Sequence, residues 1–227
     1  MEKTQHIKVI KTADGSCTLY NEAIDETYHS AKGAITESRH VFIEAGLNFS
    51  LAQKDRCAVL EVGFGTGLNA ILAVEQALHH TDKQIHYVGL EPYPLPFHLI
   101  DDLDYKSILP TELHPYFDKL HQAEWNKLVR LLPNFTFYKT TDTLESFFDV
   151  ANYDVVFFDA FAPKKQPEMW ELAHFIKLYN ILNSGGVLTS YCVMGEVRRN
   201  LSEAGFTIEK LAGPPNGKRE MLRASKN

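Results

Sequence analysis

The sequence lacks most features that would send it to a membrane, out of the cell or onto a metal. No apolar run approaches the roughly 18 residues of a membrane span. The opening stretch "MEKTQHIKVIKTADG" has no apolar core of the kind a secretion signal carries. Cysteine is scarce. Cys17, Cys57 and Cys192 are odd in number and have no metal-ligand spacing, so they read as reduced thiols of a cytoplasmic protein without a metal. Cys57 and Cys192 fall at strand-like positions and suit small buried hydrophobes better than nucleophiles. Basic residues are outnumbered, 23 Lys and Arg against 29 Asp and Glu, for a net charge of −6. That balance argues mildly against a nucleic-acid partner without excluding one, because binding needs only a local basic patch. The charge is also polarised. From Gly195 onward there are 7 basic and 4 acidic residues (+3), which leaves 16 against 25 (−9) for the rest.

What is present is an alternation. Short apolar runs, "AVLEVG", "IHYVGLE", "FTFYKTTD", "YDVVFFDAF" and "GGVLTSYC", are separated by stretches of helical spacing such as "GLNAILAVEQALHH", "PEMWELAHFIKLYNIL" and "EVRRNLSEAG". Strands alternating with helices predict βαβ units and a parallel sheet. "FTIEKLAG" and "REMLRAS" predict a closing antiparallel hairpin. Two segments break the rhythm: residues 1–50, and a Pro-, Asp- and aromatic-rich stretch at 92–132 that reads as a mostly helical insertion. The main domain is expected over 51–227. Additions of this kind are where a generic α/β scaffold gains its substrate.

The first strand runs into "EVGFGTGLNA". Glu61 precedes Gly63-Phe64-Gly65-Thr66-Gly67, between a strand and a helix, where glycines allow a tight turn and a ligand can meet free N–H groups. A dinucleotide fold would want a third glycine at position 68, which is Leu68, and no Lys-Ser/Thr pair follows, so neither NAD, FAD nor a P-loop nucleotide fits. Glu91 ends the second strand, where a carboxylate can accept both hydroxyls of a ribose. Asp142, after the third, falls where an adenine amino group could be held. With their neighbours Pro92 and Thr143 and the strand-end Asp159, these residues form a candidate site for an adenosyl ligand without phosphates, and S-adenosylmethionine is the natural candidate. A purely structural turn is the competing reading of the loop.

Asp159 closes the fourth apolar run in "VVFFDAFAPKKQPEMW". An amine must shed a proton before it attacks a sulfonium methyl, and a carboxylate at this point can orient it and take that proton. Phe161 and Pro163 offer a flat apolar wall for a ring, and Lys164 and Lys165 a place for a phosphate. A helix cap and a solvated loop are the plainer readings of the same residues.

The combination of "EVGFGTGLNA", "FFDAFAPKKQPEMW", "GEVRRNLSEAGF" and "GKREMLRAS" resembles the methyltransferase half of the tRNA wobble-uridine enzyme MnmC, and more closely its stand-alone MnmD-type relatives. The likeness runs from about "ETYHSAKGAITESRHVFIEAGL" to the end. It implies a class I methyltransferase fold, Rossmann-like, with a seven-stranded mostly parallel sheet. It implies S-adenosyl-L-methionine as donor and tRNA as partner, the aminomethyl group of 5-aminomethyl-(2-thio)uridine at position 34 being methylated. The flavin oxidase half of the bifunctional relative has no counterpart here, so the amine is expected from another enzyme. Gly63, Gly65, Gly67, Asn69, Glu91, Asp142 and Asp159 match the family's cofactor and catalytic positions. Three departures stand out: Thr141 replaces a glycine before Asp142, Ala160 replaces one after Asp159, and "GPPNGKREM" replaces a glycine-rich approach to "KREM". The segment with Tyr28, Ser30, Glu37 and Arg39 resembles the family's cover over the cofactor site, while His29 and His40 read as surface or packing histidines. Phosphate contacts are expected from Lys164, Lys165, Arg198, Arg199, Lys218 and Arg219. Trp125 and Trp170 could stack on a base, although core packing suits them too. Two other readings compete: a small-molecule amine methyltransferase or aminopropyltransferase, favoured by the acidic total, and a non-catalytic cofactor- or tRNA-binding module, disfavoured by the intact Asp159 and glycine loop.

Overall fold

The computed structural model describes residues 6–149 and 152–227; the first five residues, on which part of the no-leader expectation rests, lie outside them. Eleven strands are found among the described residues. β1 (Ile7–Lys11), β2 (Cys17–Asn21) and β3 (Glu26–Thr27) form a small antiparallel sheet of their own. A continuous helical rod follows, made of α1 (Ala34–Ser38), a π-helical stretch (Arg39–Asn48) and α2 (Phe49–Leu51). The expected boundary at residue 50 therefore falls inside a helix. The reason is packing: Val41, Phe42, Ile43 and Leu47 are buried against the main sheet, so the rod is one of the domain's own layers.

The main sheet holds β4 (Arg56–Val62), β5 (Gln84–Leu90), β6 (Val129–Leu132), β7 (Phe135–Thr140), β8 (Tyr153–Phe158), β9 (Leu182–Ser190), β10 (Thr207–Ala212) and β11 (Glu220–Ser225) in the order 10-11-9-8-4-5-7-6. β9, β8, β4, β5 and β7 are parallel. β11 and β10 add the expected antiparallel hairpin at one edge. The sheet has eight strands where seven were expected. The extra one, β6, pairs antiparallel with β7 and comes from the end of the insertion, so that segment is not wholly helical. Its "VRLL" buries Leu131 and Leu132, and a tight turn through Pro133 and Asn134 returns the chain into β7.

Alternation along the central strands builds two cores. Val59, Tyr87, Val155 and Phe157 point to one face, under the helical rod, α3 (Leu68–His79) and, from the insertion, α4 (Phe97–Asp101) and α5 (His114–Gln122). Leu60, Val88, Val156 and Phe158 point to the other, under α6 (Leu172–Ile181) and α7 (Gly195–Glu203). Both faces are covered, which is why β8 is apolar and buried at nearly every position. Gly46 lets the rod lie flush on the sheet, since a Cβ there would be 2.9 Å from the Phe157 ring. Cys57 is buried in β4 and its thiol is pushed up to about 12 by burial; Cys192 is buried two residues beyond the end of β9. Among the described residues no helix is long and apolar enough to cross a membrane.

Candidate active site

The strand order reverses at β4, with β5 on one side and β8 on the other. In an open parallel sheet the crevice beyond the carboxyl ends at such a point is where ligands bind. Here it opens into a cavity of about 690 Å³, lined by the glycine loop, the ends of β5 and β8, the segment after β3, and the hairpin loop between β10 and β11.

The glycines are required by geometry. Gly63 has φ +93° and a Cβ there would stand 2.6 Å from the Asp159 carbonyl oxygen; Gly67 has φ +73° where the chain turns into α3. The loop is held by Glu91, whose Oε2 accepts the Gly65 N–H at 2.9 Å while its Oε1 accepts that of Tyr93 at 3.0 Å. Burial raises the pKa of Glu91, and these two bonds oppose the rise. Below the loop, the Asn69 amide donates to Glu61 Oε1 at 2.9 Å and to Asp159 Oδ2 at 2.8 Å. Glu61 is fully buried and its pKa lies well above the carboxylate range for that reason. Asp159 is recessed in the cavity wall. Burial, and then the charge of Glu37, push its pKa up to about 8, with the Asn69 bond and Lys218 pulling the other way.

Around this floor stand aromatic walls. Tyr28 meets Phe161 edge to face at 5.1 Å, and the Lys218 ammonium lies 4.1 Å from the Tyr191 ring centroid. The Tyr191 hydroxyl donates to the Ala160 carbonyl at 2.7 Å, fixing the turn after β8. Trp170 also braces this turn, its indole N–H donating to the Phe161 carbonyl at 2.8 Å; it is buried and packs on Phe158. Trp125 is part of a second, smaller cavity with His121 and Lys139, away from Asp159.

Of the residues singled out from sequence, Gly63, Phe64, Gly65, Glu91, Pro92 and Thr143 line the cavity, as do Asp159, Phe161 and Lys218. Others stand outside the lining. Glu61, Gly67 and Asn69 form the layer beneath it. Thr66 is buried against the cover, bonded to His29 Nε2 at 2.8 Å. Asp142 turns back to accept the Thr140 hydroxyl at 2.8 Å, because the turn after β7 points it along the strand end. Pro163 and Lys164 are not part of the lining, and Lys165 is ion-paired with Asp25 at 3.1 Å. The Arg198 Nε donates to the Val193 carbonyl, while Arg199 and Arg219 are not part of the wall. In the N-terminal cover, Tyr28, Ser30 and Glu37 face the cavity. Arg39 does not: it forms a two-pronged pair with buried Glu75 of α3, at 2.6 and 3.0 Å. His29 is a buried latch between cover and loop, with a pKa lowered to about 4 by burial. His40 bonds the Ala212 carbonyl. Tyr191 was missed from sequence because nothing local distinguishes it from the core residues of β9.

These groups fit S-adenosyl-L-methionine. A glycine loop with no room for a Cβ at Gly63, a carboxylate at the end of β5 and a roomy part-apolar cavity suit a nucleoside that carries no phosphate. Together fold and site match the class I methyltransferase architecture, with its cofactor crevice beyond the carboxyl ends of the parallel strands. A family model described as S-adenosyl-L-methionine-dependent methyltransferase matches residues 134–227. Similar curated proteins are the tRNA 5-methylaminomethyl-2-thiouridine biosynthesis bifunctional proteins MnmC of Cupriavidus metallidurans and Ectopseudomonas mendocina. The first is 32% identical over 91% of this chain and 32% of its own length. The second is 34% identical over 87% and 32%. The chain thus spans about a third of the length of the curated relatives it matches. Among solved structures, MNMC2 from Aquifex aeolicus superposes with a TM-score of 0.78 at 26% identity, over 96% of this chain and 70% of that one. Spermidine synthase from Thermotoga maritima, at 14% identity and a TM-score of 0.59, shares the fold. Over most of its length the chain is thus similar to the bifunctional MnmC proteins and to MNMC2.

Proposed function

We propose that the protein methylates the aminomethyl group of 5-aminomethyl-(2-thio)uridine at the tRNA wobble position, giving the 5-methylaminomethyl form. The observation that carries this reading is Asp159: a recessed carboxyl beside the glycine cradle, with aromatic walls. When bound, S-adenosyl-L-methionine supplies an electrophilic methyl group on a positively charged sulfur. Glu91 would hold its ribose, and the backbone of Gly63 and Gly65 would lie against it. Asp159 orients the acceptor amine and receives its proton, while Tyr28, Phe161 and Tyr191 exclude water and offer ring faces to cationic groups. Most of the acceleration comes from holding the amine in line. Arg219, Lys164 and the α7 arginines, outside the lining that Lys218 joins, support an RNA acceptor over a free amine, since phosphates need cations placed around rather than inside the site. The protein acts in the cytoplasm, where its substrate is made.

The test is methyl transfer from labelled S-adenosyl-L-methionine to tRNA lacking the final wobble methyl, followed by nucleoside analysis. Label in 5-methylaminomethyl-(2-thio)uridine at position 34 is the expected result. No label in tRNA, with cofactor binding intact, would move the acceptor to a small amine.

A further inference from the structure

Asp159 does not stand alone in the cavity. Glu37, from the first turn of α1, lines the same space. Its carboxylate is held on one side by the Ser30 N–H, which donates to Oε2 at 3.0 Å. The backbone that carries it is anchored before and after. Thr36 donates its N–H and its hydroxyl to Asp14 Oδ2, at 3.0 and 2.8 Å. Arg39 clamps onto Glu75 of α3. The cover therefore presents an acid in a fixed position where an apolar residue would complete the wall more cheaply.

Among the described residues neither Glu37 nor Asp159 has an ion-pair partner within 4 Å. Lys218 shares the cavity, but its ammonium sits over the Tyr191 ring. Two carboxyl groups facing one cavity without a contacting cation form a receptor for a cation. Burial raises both pKa values; the Ser30 N–H and the Lys218 charge draw that of Glu37 back, while the charge of Glu37 raises that of Asp159 further.

We propose that Glu37 is a second acid of the transfer centre, which grips the acceptor's ammonium together with Asp159 and shares the proton that the amine gives up. The inference rests on the amine acceptor proposed above. The step balances as follows. An R–NH3+ group enters against the acid pair in its singly protonated form and passes one proton to the remaining carboxylate. The freed nitrogen lone pair then forms the N–CH3 bond as the S–CH3 bond breaks, with that bond's electrons staying on sulfur. The product leaves as R–NH2+–CH3, and the pair returns its proton to water.

The experiment compares wild type with Glu37→Gln, which keeps an oxygen for the Ser30 N–H, and with Glu37→Asp. Transfer to aminomethyl-bearing tRNA is followed from pH 6 to 9, beside cofactor affinity. We expect Glu37→Gln to lower kcat/KM about 100-fold, with the cofactor Kd within about threefold, and Glu37→Asp to recover part of the loss. Removing the Glu37 charge should also move the Asp159 titration to lower pH, read by carboxyl NMR without any acceptor. Glu26, Lys32, Glu91, Glu145 and Glu168 also line the cavity, and all are unchanged between the variants. Turnover within twofold of wild type, or a rise in cofactor Kd that matches the loss of kcat/KM, would overturn the assignment. If wild type transfers nothing to tRNA, the proposed function fails. Glu37 is then judged on the titration, and an unmoved Asp159 curve removes it from the centre.

Discussion

Replacing Asp159 with Asn should make the protein more stable and less active at once. The carboxyl's ordinary pKa is 3.8 and the fold pushes it up to about 8. A folded-state pKa above the unfolded one means that the folded protein keeps a proton which the unfolded chain gives up. Below pH 3.8 both states are protonated and nothing is lost. As pH rises toward 8 the native state falls behind, and above 8 the loss is complete. Each tenfold change in proton affinity is worth about 1.36 kcal/mol, so the whole rise amounts to at most roughly 6 kcal/mol. The carboxyl is half-buried in the wall of an open cavity, so roughly 2 kcal/mol is the realistic share. Asn cannot ionise, yet its side-chain oxygen can still accept from Asn69. For a chain of this size, roughly 2–4 °C of Tm accompanies each kcal/mol. Thermal melts should show Asp159→Asn level with wild type at pH 4 and about 4–8 °C higher at pH 8. Turnover should fall by about 10² to 10⁴. A misfolded variant would lose both quantities. A Tm difference that does not change with pH, or turnover that survives, would refute this role of Asp159.

A cationic sulfonium favours the Asp159 carboxylate, so cofactor binding at pH 7 should release protons and tighten as pH rises toward 8; calorimetry in buffers of different ionisation enthalpy measures both. Gly63→Ala forces a side chain against the Asp159 carbonyl at a backbone angle that suits glycine, and should weaken cofactor binding at least about 10-fold and cost about 1–3 kcal/mol in denaturant titrations. Arg39→Ala leaves Glu75 buried without its partner and should cost roughly 1–3 kcal/mol by the same method, where Lys165→Ala, at a largely exposed pair, should cost under about 1. If tRNA is held by phosphate contacts, its Kd should climb steeply with salt, and Lys218→Ala should flatten the slope by about one; a salt-independent Kd would point to another surface.

The strand–helix alternation made the parallel sheet legible, because buried central strands carry their own apolar signature. The glycine loop and the strand-end acids Glu91 and Asp159 were legible for a related reason: fixed positions on a fixed scaffold bring them to one crevice. What escaped depends on contacts between distant segments. β6 is four residues long and takes its identity from pairing with β7. The rod from Ala34 to Leu51 lacks a strong helical stripe, since the sheet beneath it and its own π-turns blur the period. Arg39 and Asp142 looked available from sequence, and only the fold shows Glu75 and Thr140 engaging them. Glu61 and Asn69 are one step removed from the cavity, a distinction that motif spacing does not encode.

Gly46 gives the rod a fulcrum. It touches the sheet where there is no room for even a methyl group, and Glu37 lies nine residues up the same rod, roughly 13 Å along its axis. A tilt of about 5° at that bearing swings the far end by roughly 1 Å, enough to cost on the order of 100-fold in a transfer that depends on alignment. The core beneath the rod thus calibrates the cavity from a distance. Volume changes at Phe157 or Val155, which touch no ligand, would be read out at the rim as changes in turnover.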